Sequence, residues 1–260
     1  MKRVRFSWAI YIILTAVVLL QFSCENPDED VNETLLDTIT DIDGNEYYTK
    51  KIGNQWWMVN NLETTHYADG AEIPLVEDLS GWDGLGSEDS AYCYYNNDGN
   101  DEAKTYGALY TWTAAMNSGG SSDNNPSGIQ GVCPDGMHLP SDNEWKELEM
   151  HLGMTQADAD ATGPRGISIG SKLATTASLW LDGKLESNAA FGTSGFLALP
   201  GGGRHDDGTF GHLGDNANFW STTEGDAAEA WGRHLYSKFS SVHRYSDVKF
   251  IGFSVRCVKD

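Results

Sequence analysis

Residues 131–145 read GVCPDGMHLPSDNEW, and the second half of this stretch says where a helix starts. Ser141 followed three residues later by Glu144 is a capping box. The hydroxyl accepts the N3 amide proton while the carboxylate reaches back to the N-cap amide. Trp145, Leu148 and Leu152 then recur at helical spacing and supply one apolar face, and Gly153 is placed to stop the helix. Working outward, residues 119–128 are rich in Ser, Asn and Gly and read as exposed loop. Residues 106–116 set Leu109, Trp112 and Met116 on one stripe, which predicts a second helix. Apolar alternation around Asp43-Gly44 predicts a hairpin over 39–49, and a further hairpin follows over 51–59. Short strands are expected at 91–95, 196–199, 219–223 and 230–236, with a closing strand over 250–258. The rest of 68–102 reads as loop, as does the glycine-rich run 201–208. With no repeat and no internal linker, residues 39–260 are expected to form one α+β domain. Its parts would be two helices, a short twisted antiparallel sheet and extensive loop.

The N-terminus reads as an export signal. Lys2, Arg3 and Arg5 precede an uncharged apolar run over residues 8–20, and Ser23-Cys24 follows. Thirteen residues fall short of the roughly 20 needed to span a bilayer. The small residue before Cys24 resembles a bacterial lipobox, with Gln21 where leucine is usual, as in the relaxed lipoboxes of Bacteroidetes-like groups. The resemblance implies that residues 1–23 are removed, that Cys24 carries the lipid anchor, and that the membrane is a partner through it. Residues 24–38 would be an acidic tether, similar to the export tag that sends such lipoproteins to the outer surface. Loss of Lys2, Arg3 and Arg5 with no acid takes the formal charge from −21 to about −24. So acidic a chain has no electrostatic footprint for nucleic acid.

Motifs for chemistry are sparse. The chain has no HExxH, CxxC or P-loop, and Gly192-Thr193-Ser194-Gly195 is not a GxSxG elbow. Asp41-Ile42-Asp43-Gly44 has its glycine too early for an EF-hand loop. His205-Asp206-Asp207 and His212 with Asp215 offer oxygens for Ca²⁺ or nitrogens for Zn²⁺, but at no recognised ligand spacing. No cofactor and no metal are therefore expected, with Ca²⁺ as an alternative the spacing does not support. Carboxylate pairs for glycoside hydrolysis are set in space and are not readable here. Cys93, Cys133 and Cys257 are odd in number, and an exported protein is expected to pair two of them. Cys93 sits among Tyr92, Tyr94 and Tyr95, which gives no cationic setting to activate a thiol. Trp56, Trp57, Trp112, Trp145 and Trp220 fall in patterned elements and are expected in the core. Trp82, Phe210, Tyr236, Phe239 and Tyr245 fall in or beside loops, where exposed rings could stack on a sugar or anchor a partner.

Seven blocks carry a family resemblance: DIDGNEYYTKKIGNQWWMVNNLET (41–64), YCYYNND (92–98), YGALYTW (106–112), the opening stretch, SGFLALPGGGR (194–204), FWSTTE (219–224) and GFSVRCVKD (252–260). In this order they resemble the Fibrobacter succinogenes major paralogous domain family. LPSDNEW, FWSTTE and GFSVRC also look like signatures of the formylglycine-generating enzyme and sulfatase-modifying-factor group, which implies a C-type-lectin-like fold. In that arrangement the segments holding Cys133 and Cys257 are neighbours, so the resemblance implies their disulfide and leaves Cys93 as a buried free thiol. The formylglycine-generating enzymes use two cysteines late in the chain. Only Cys257 stands there, and the activity is not carried over. Loops of the lectin-like frame gather over 204–218 and 236–245, so Arg204, His205, Asp207, Phe210, His212, Tyr236, Phe239 and Tyr245 are expected to share one ligand-facing surface. The function expected is a lipoprotein of the outer membrane, facing the cell surface and binding or adhering to a glycan or protein. The alternatives are an enzyme acting on glycans, a formylglycine-type modifying enzyme, or a structural envelope subunit.

Overall fold

The computed structural model describes residues 37–260. Cys24, the export signal and nearly all of the tether lie outside the described residues. Among the described residues there are thirteen strands: β1 (Asp37–Thr40), β2 (Glu46–Ile52), β3 (Gln55–Met58), β4 (Tyr92–Cys93), β5 (Leu109–Tyr110), β6 (Met137–His138), β7 (Gly163–Arg165), β8 (Gly201–Arg204), β9 (Phe210–Leu213), β10 (Asn216–Glu224), β11 (Glu229–Tyr236), β12 (Val242–Val248) and β13 (Val258–Lys259). They form a five-stranded sheet in the order β1-β2-β3-β13-β6, a six-stranded sheet in the order β7-β12-β11-β10-β8-β9, and the pair β4-β5. Nearly all pairings are antiparallel, β8 with β10 being parallel. Six short helices accompany them: α1 (Leu79–Asp83), α2 (Asp101–Tyr106), α3 (Trp112–Met116), α4 (Asp142–His151), α5 (Gln156–Asp160) and α6 (Ile169–Leu173). The class is α+β, as expected, but with six helices rather than two.

Helix α4 starts as its sequence dictates. Ser141 Oγ accepts from Glu144 N, the Glu144 carboxylate accepts from Ser141 N, and Gly153 follows the Leu152 cap at φ +107°. Trp145 and Leu148 are buried by this helix. The Trp57 and Trp145 rings lie 4.7 Å apart and both meet Phe196. Three of the buried indole N–H groups find backbone acceptors: Trp145 donates to Trp220 O, Trp220 to Tyr110 O and Trp112 to Ser221 O, whereas the Trp82 N–H has no partner. In these three the one polar handle of the buried indole is satisfied. The Cys133–Cys257 disulfide forms, with Cα atoms 5.9 Å apart, inside the cluster around Tyr110, Trp220 and Val255.

Several sequence expectations are corrected. The span 106–116, expected as one helix, holds the last residue of α2, strand β5 and then helix α3. Gly107 takes φ +75°, and a Cβ there would stand 2.7 Å from Leu62 O. The chain must therefore turn at Gly107, and Thr111 caps a new helix by accepting from Ala114 N. The run 201–208 is not loop but β8 and the turn into β9. Residues 196–199 form no strand, since Leu197 adopts φ +60° and Ala198 makes only a single bridge to Ala174. Of the closing segment only Val258–Lys259 is regular. Gly252, Phe253 and Ser254 bridge singly to Arg204, Tyr110 and Phe219. Trp82 is fully buried (0% exposed) rather than displayed.

Helix α4 also carries buried charge. Glu149 Oε1 accepts from Arg233 Nε at 2.8 Å and from Arg165 Nη2 at 2.7 Å. Asp142 accepts from Arg244 at 2.7 and 2.8 Å and forms an ion pair with Arg233 Nη1 at 2.8 Å. Burial opposes ionisation of Asp142, but Arg233, Arg244 and Lys146 outweigh it and hold the carboxyl well below its usual range.

His138 in β6 has a carboxylate oxygen 2.7 Å from each ring nitrogen, Glu144 Oε1 at Nε2 and Asp260 Oδ1 at Nδ1. Two acceptors require two N–H donors, so the ring is an imidazolium. Burial pulls its pKa down, yet Glu144 and then Asp260 prevail and the net shift is upward from 6.5. The folded form thus binds this proton more tightly than the unfolded chain. The contribution is fully present below pH 6.5 and is lost as pH rises through the raised folded value. Thermal melts across neutral to alkaline pH should show a midpoint that declines for the wild type and is flatter for His138→Gln. Parallel profiles would refute the assignment.

Candidate functional site

Strands β10, β11 and β12 form the middle of the six-stranded sheet. Their register pairs Asn218 with His234 and His234 with His243, and Asn216 with Tyr236. Because side chains alternate across a strand, one face carries Ala217, Phe219, Leu235 and Val242, all core residues. The other carries Asn216, Asn218, His234, Tyr236, His243, Tyr245 and Asp247. The β8–β9 hairpin and the segment holding Ile251 and Phe253 rise beside that second face. Between them lies a cavity of about 170 Å³.

His234 forms its floor and is only 3% exposed. Its Nδ1 lies 3.0 Å from Asn218 Oδ1, while Asn218 Nδ2 donates to Gly202 O at 2.9 Å. Its Nε2 lies 3.0 Å from Asp247 Oδ2, but off the hydrogen-bond direction, and both atoms are buried without a partner. The ring rests over Gly232, where a Cβ would come within 3.0 Å of Nε2. Phe253 meets it edge-on at 5.5 Å, and Tyr236 lies parallel at 6.2 Å. Burial, with Asp247 and Tyr245 nearby, pushes the Tyr236 phenol up to about 12, so it stays a donor. His243 stands 4.7 Å from Tyr236, and its pKa is lowered to about 4 by burial and then by His234 and Arg165.

The eight residues expected on this surface divide. Arg204, His205, His212 and Tyr236 line the cavity. His205 and His212 face each other across β8–β9 at 5.4 Å, and His212 adopts φ +66°, a conformation rare for a residue with a side chain. Arg204 is 1% exposed. Its guanidinium donates to the carbonyls of Val76, Glu77, Asp78 and Gly208 and lies between Trp82 and Phe210 at 4.4 and 4.7 Å. Arg204 and Phe210 therefore hold the hairpin against the 76–78 segment. Asp207 accepts from Thr209 N and Oγ1 and shapes its own turn. Phe239 (47% exposed) and Tyr245 (40% exposed) flank the cavity without lining it, beside His243 and His234.

Gly203, Asn216, Asn218, His234, Asp247, Ile251 and Phe253 complete the cavity; Asn216 and Asn218 fall within the expected 204–218 stretch without being singled out, and the others were not read from the sequence as site residues. Strict alternation in NANFW (216–220) and HRYSD (243–247) is the signal that marks them. No group of three or more His, Cys, Asp or Glu among the described residues is placed to hold a metal. Asp215 accepts from Ser237 Oγ instead of turning toward His212. Cys257 is tied to Cys133, and Cys93 is buried, its thiol pushed up to about 12 by that burial despite Arg204 nearby.

Residues 51–259 match the family described as the Fibrobacter succinogenes major domain. The chain belongs to this family. The matched span of the Fibrobacter succinogenes major domain holds every residue that lines the cavity. Among curated proteins and among solved structures, none matches the chain.

Proposed function

We propose that this protein is an exported, lipid-anchored binding module with a C-type-lectin-like frame, whose ligand face is the open side of β10–β12 under the β8–β9 hairpin. The observation that carries the reading is a rigid sheet face that turns amides, imidazoles and tyrosines outward instead of a solvated charged surface. Such a face offers stacking and directional hydrogen bonds together. Phe239 and Tyr245 extend it as exposed rings. The glycosidase alternative finds less support, because glycoside hydrolysis pairs two carboxylates and Asp247 is the one acid lining the cavity. Formylglycine-type oxidation finds less support because Cys257 is disulfide-bonded and Cys93 is sealed.

A glycan array and a surface pull-down with the full chain test the binding role. Tyr236→Ala should weaken the captured ligand by about 2 kcal/mol, roughly thirtyfold, while the melt changes little. Unchanged affinity in a folded variant moves the site elsewhere, and capture of nothing favours a structural subunit. Anchoring is tested by labelling cells with radioactive fatty acid, where Cys24→Ala should abolish incorporation.

A further inference from the structure

We infer that the ligand is a linear, neutral oligosaccharide of several sugar rings, with one end in the cavity and the next rings laid on a ledge formed by Tyr236, Phe239 and Tyr245. This rests on the binding reading above and names its ligand class. The three side chains pack round one buried ring, that of His243, at 4.7, 5.3 and 6.0 Å. The pKa of His243 is lowered to about 4, chiefly by burial, so the ring beneath the ledge is uncharged at neutral pH. Phe239 and Tyr245 are exposed, and Tyr236 is half-buried. Tyr236 and Tyr245 project from one face of β11 and β12, and Phe239 stands in the turn between those strands. The rings are therefore ordered before a ligand arrives, which lowers the entropic cost of binding.

Rings alone would suit any apolar partner, and the groups beside them narrow the chemistry. Tyr236 also lines the cavity, where the Asn216 amide and the His205 and His212 rings make no hydrogen bond among the described residues and are open to solvent. The Tyr236 and Tyr245 hydroxyls are likewise unspent. Donors and acceptors thus stand next to aromatic faces. A pyranose matches that pattern, with C–H groups on its faces and hydroxyls round its edge. A protein partner fits less well. An aromatic side chain buries about 150–250 Å², so three fall short of the roughly 800 Å² that a stable protein partner covers, and none of the exposed aliphatic side chains lies on β10–β12 to widen the patch. The cavity, about 170 Å³, is smaller than the roughly 300–1,000 Å³ of pockets that engulf a ligand. It takes one end of the sugar chain and leaves the rest on the ledge. Charge selects a neutral chain. Arg204, the one permanent cation of the lining, gives its guanidinium to four backbone carbonyls and has none left for a uronate or sulfate. Asp247, the one acid, is turned against His234 and does not face an ammonium group.

Calorimetric titration of the full chain tests this, with cellotetraose, maltotetraose, xylotetraose and mannotetraose, their parent monosaccharides, a galacturonate tetramer and a chitosan tetramer. At least one neutral tetramer should bind. Its monosaccharide, which covers a single ring, and both charged tetramers should bind about tenfold more weakly or not at all. Phe239→Ala and Tyr245→Ala should each weaken the neutral tetramer about tenfold. Neither should move the melt, because both rings are exposed. Binding of none of the neutral tetramers overturns the inference. So does equal binding of the monosaccharide, tighter binding of a charged tetramer, or indifference to both alanine variants. If the surface pull-down captures a protein that Tyr236→Ala weakens while no tetramer binds, the binding role stands and the oligosaccharide is not its ligand. If neither sugar nor protein binds, both readings fall.

Discussion

Removal of the Cys133–Cys257 bridge, by Cys133→Ala with Cys257→Val, is expected to lower stability by about 2–5 kcal/mol, the range for native disulfides in exported domains. The bridge closes a span of 124 residues, for which the chain-entropy model gives about 5 kcal/mol. That is an upper figure, since the unfolded chain retains some structure of its own. Both half-cystines are fully buried among Tyr110, Trp220 and Val255, so Ala and Val keep the site apolar and most of the loss will come from the freed unfolded state. Urea unfolding of the variant and of reduced wild type should give coincident curves, both shifted to lower midpoints. A loss under about 0.5 kcal/mol, no more than an ordinary surface substitution produces, would mean that the fold does not depend on the bridge.

Arg233→Met is expected to cost a similar amount by a different route. Arg233 is fully buried and spans Glu149 Oε1 and Asp142 Oδ1, each at 2.8 Å. Taking away one member of a buried ionic group leaves uncompensated charge, typically about 3–5 kcal/mol. Glu149 is the exposed weakness, because its Oε2 already has no partner and only Arg165 would remain on Oε1. Adding Glu149→Leu to Arg233→Met should therefore recover part of the loss, because it removes the stranded carboxylate along with its partner. Acid adds a second readout. Asp142 has a depressed folded pKa, so its contribution is present above the unfolded value of 3.8 and is lost as pH falls toward the folded one. That acid-side loss should be smaller in Arg233→Met, since one of the cations that depress Asp142 is gone. Equal stability of the single and double variants would show that Glu149 tolerates isolation.

What could be read from the sequence was local. The capping box of Ser141 and Glu144 fixes the start of α4 within four residues, with no help from the rest of the chain. FWSTTE reads as strand because its residues alternate and branch. The failures share a cause. Residues 106–116 show a helical stripe, but Gly107 is needed where the backbone passes Leu62, a contact no window of sequence contains. Residues 201–208 look like loop because glycines fill β8, and 201–204 are strand because Gly252, Ala217 and Gly211 pair with them. Part of the site was legible for the same reason. Arg204, His205, His212 and Tyr236 stand near aromatics in sequence. Asn218, His234 and Asp247 sit on three strands, and only the register of those strands brings them together.

The Trp57–Trp145 contact gives the molecule an optical marker. Two indoles 4.7 Å apart and inclined by 48° share their ultraviolet excitations, so their circular dichroism splits into a couplet of opposite signs that neither ring shows alone. One ring belongs to β3 and the other to α4. The couplet therefore reports the docking of the helix on the first sheet, separately from the amide bands that report secondary structure.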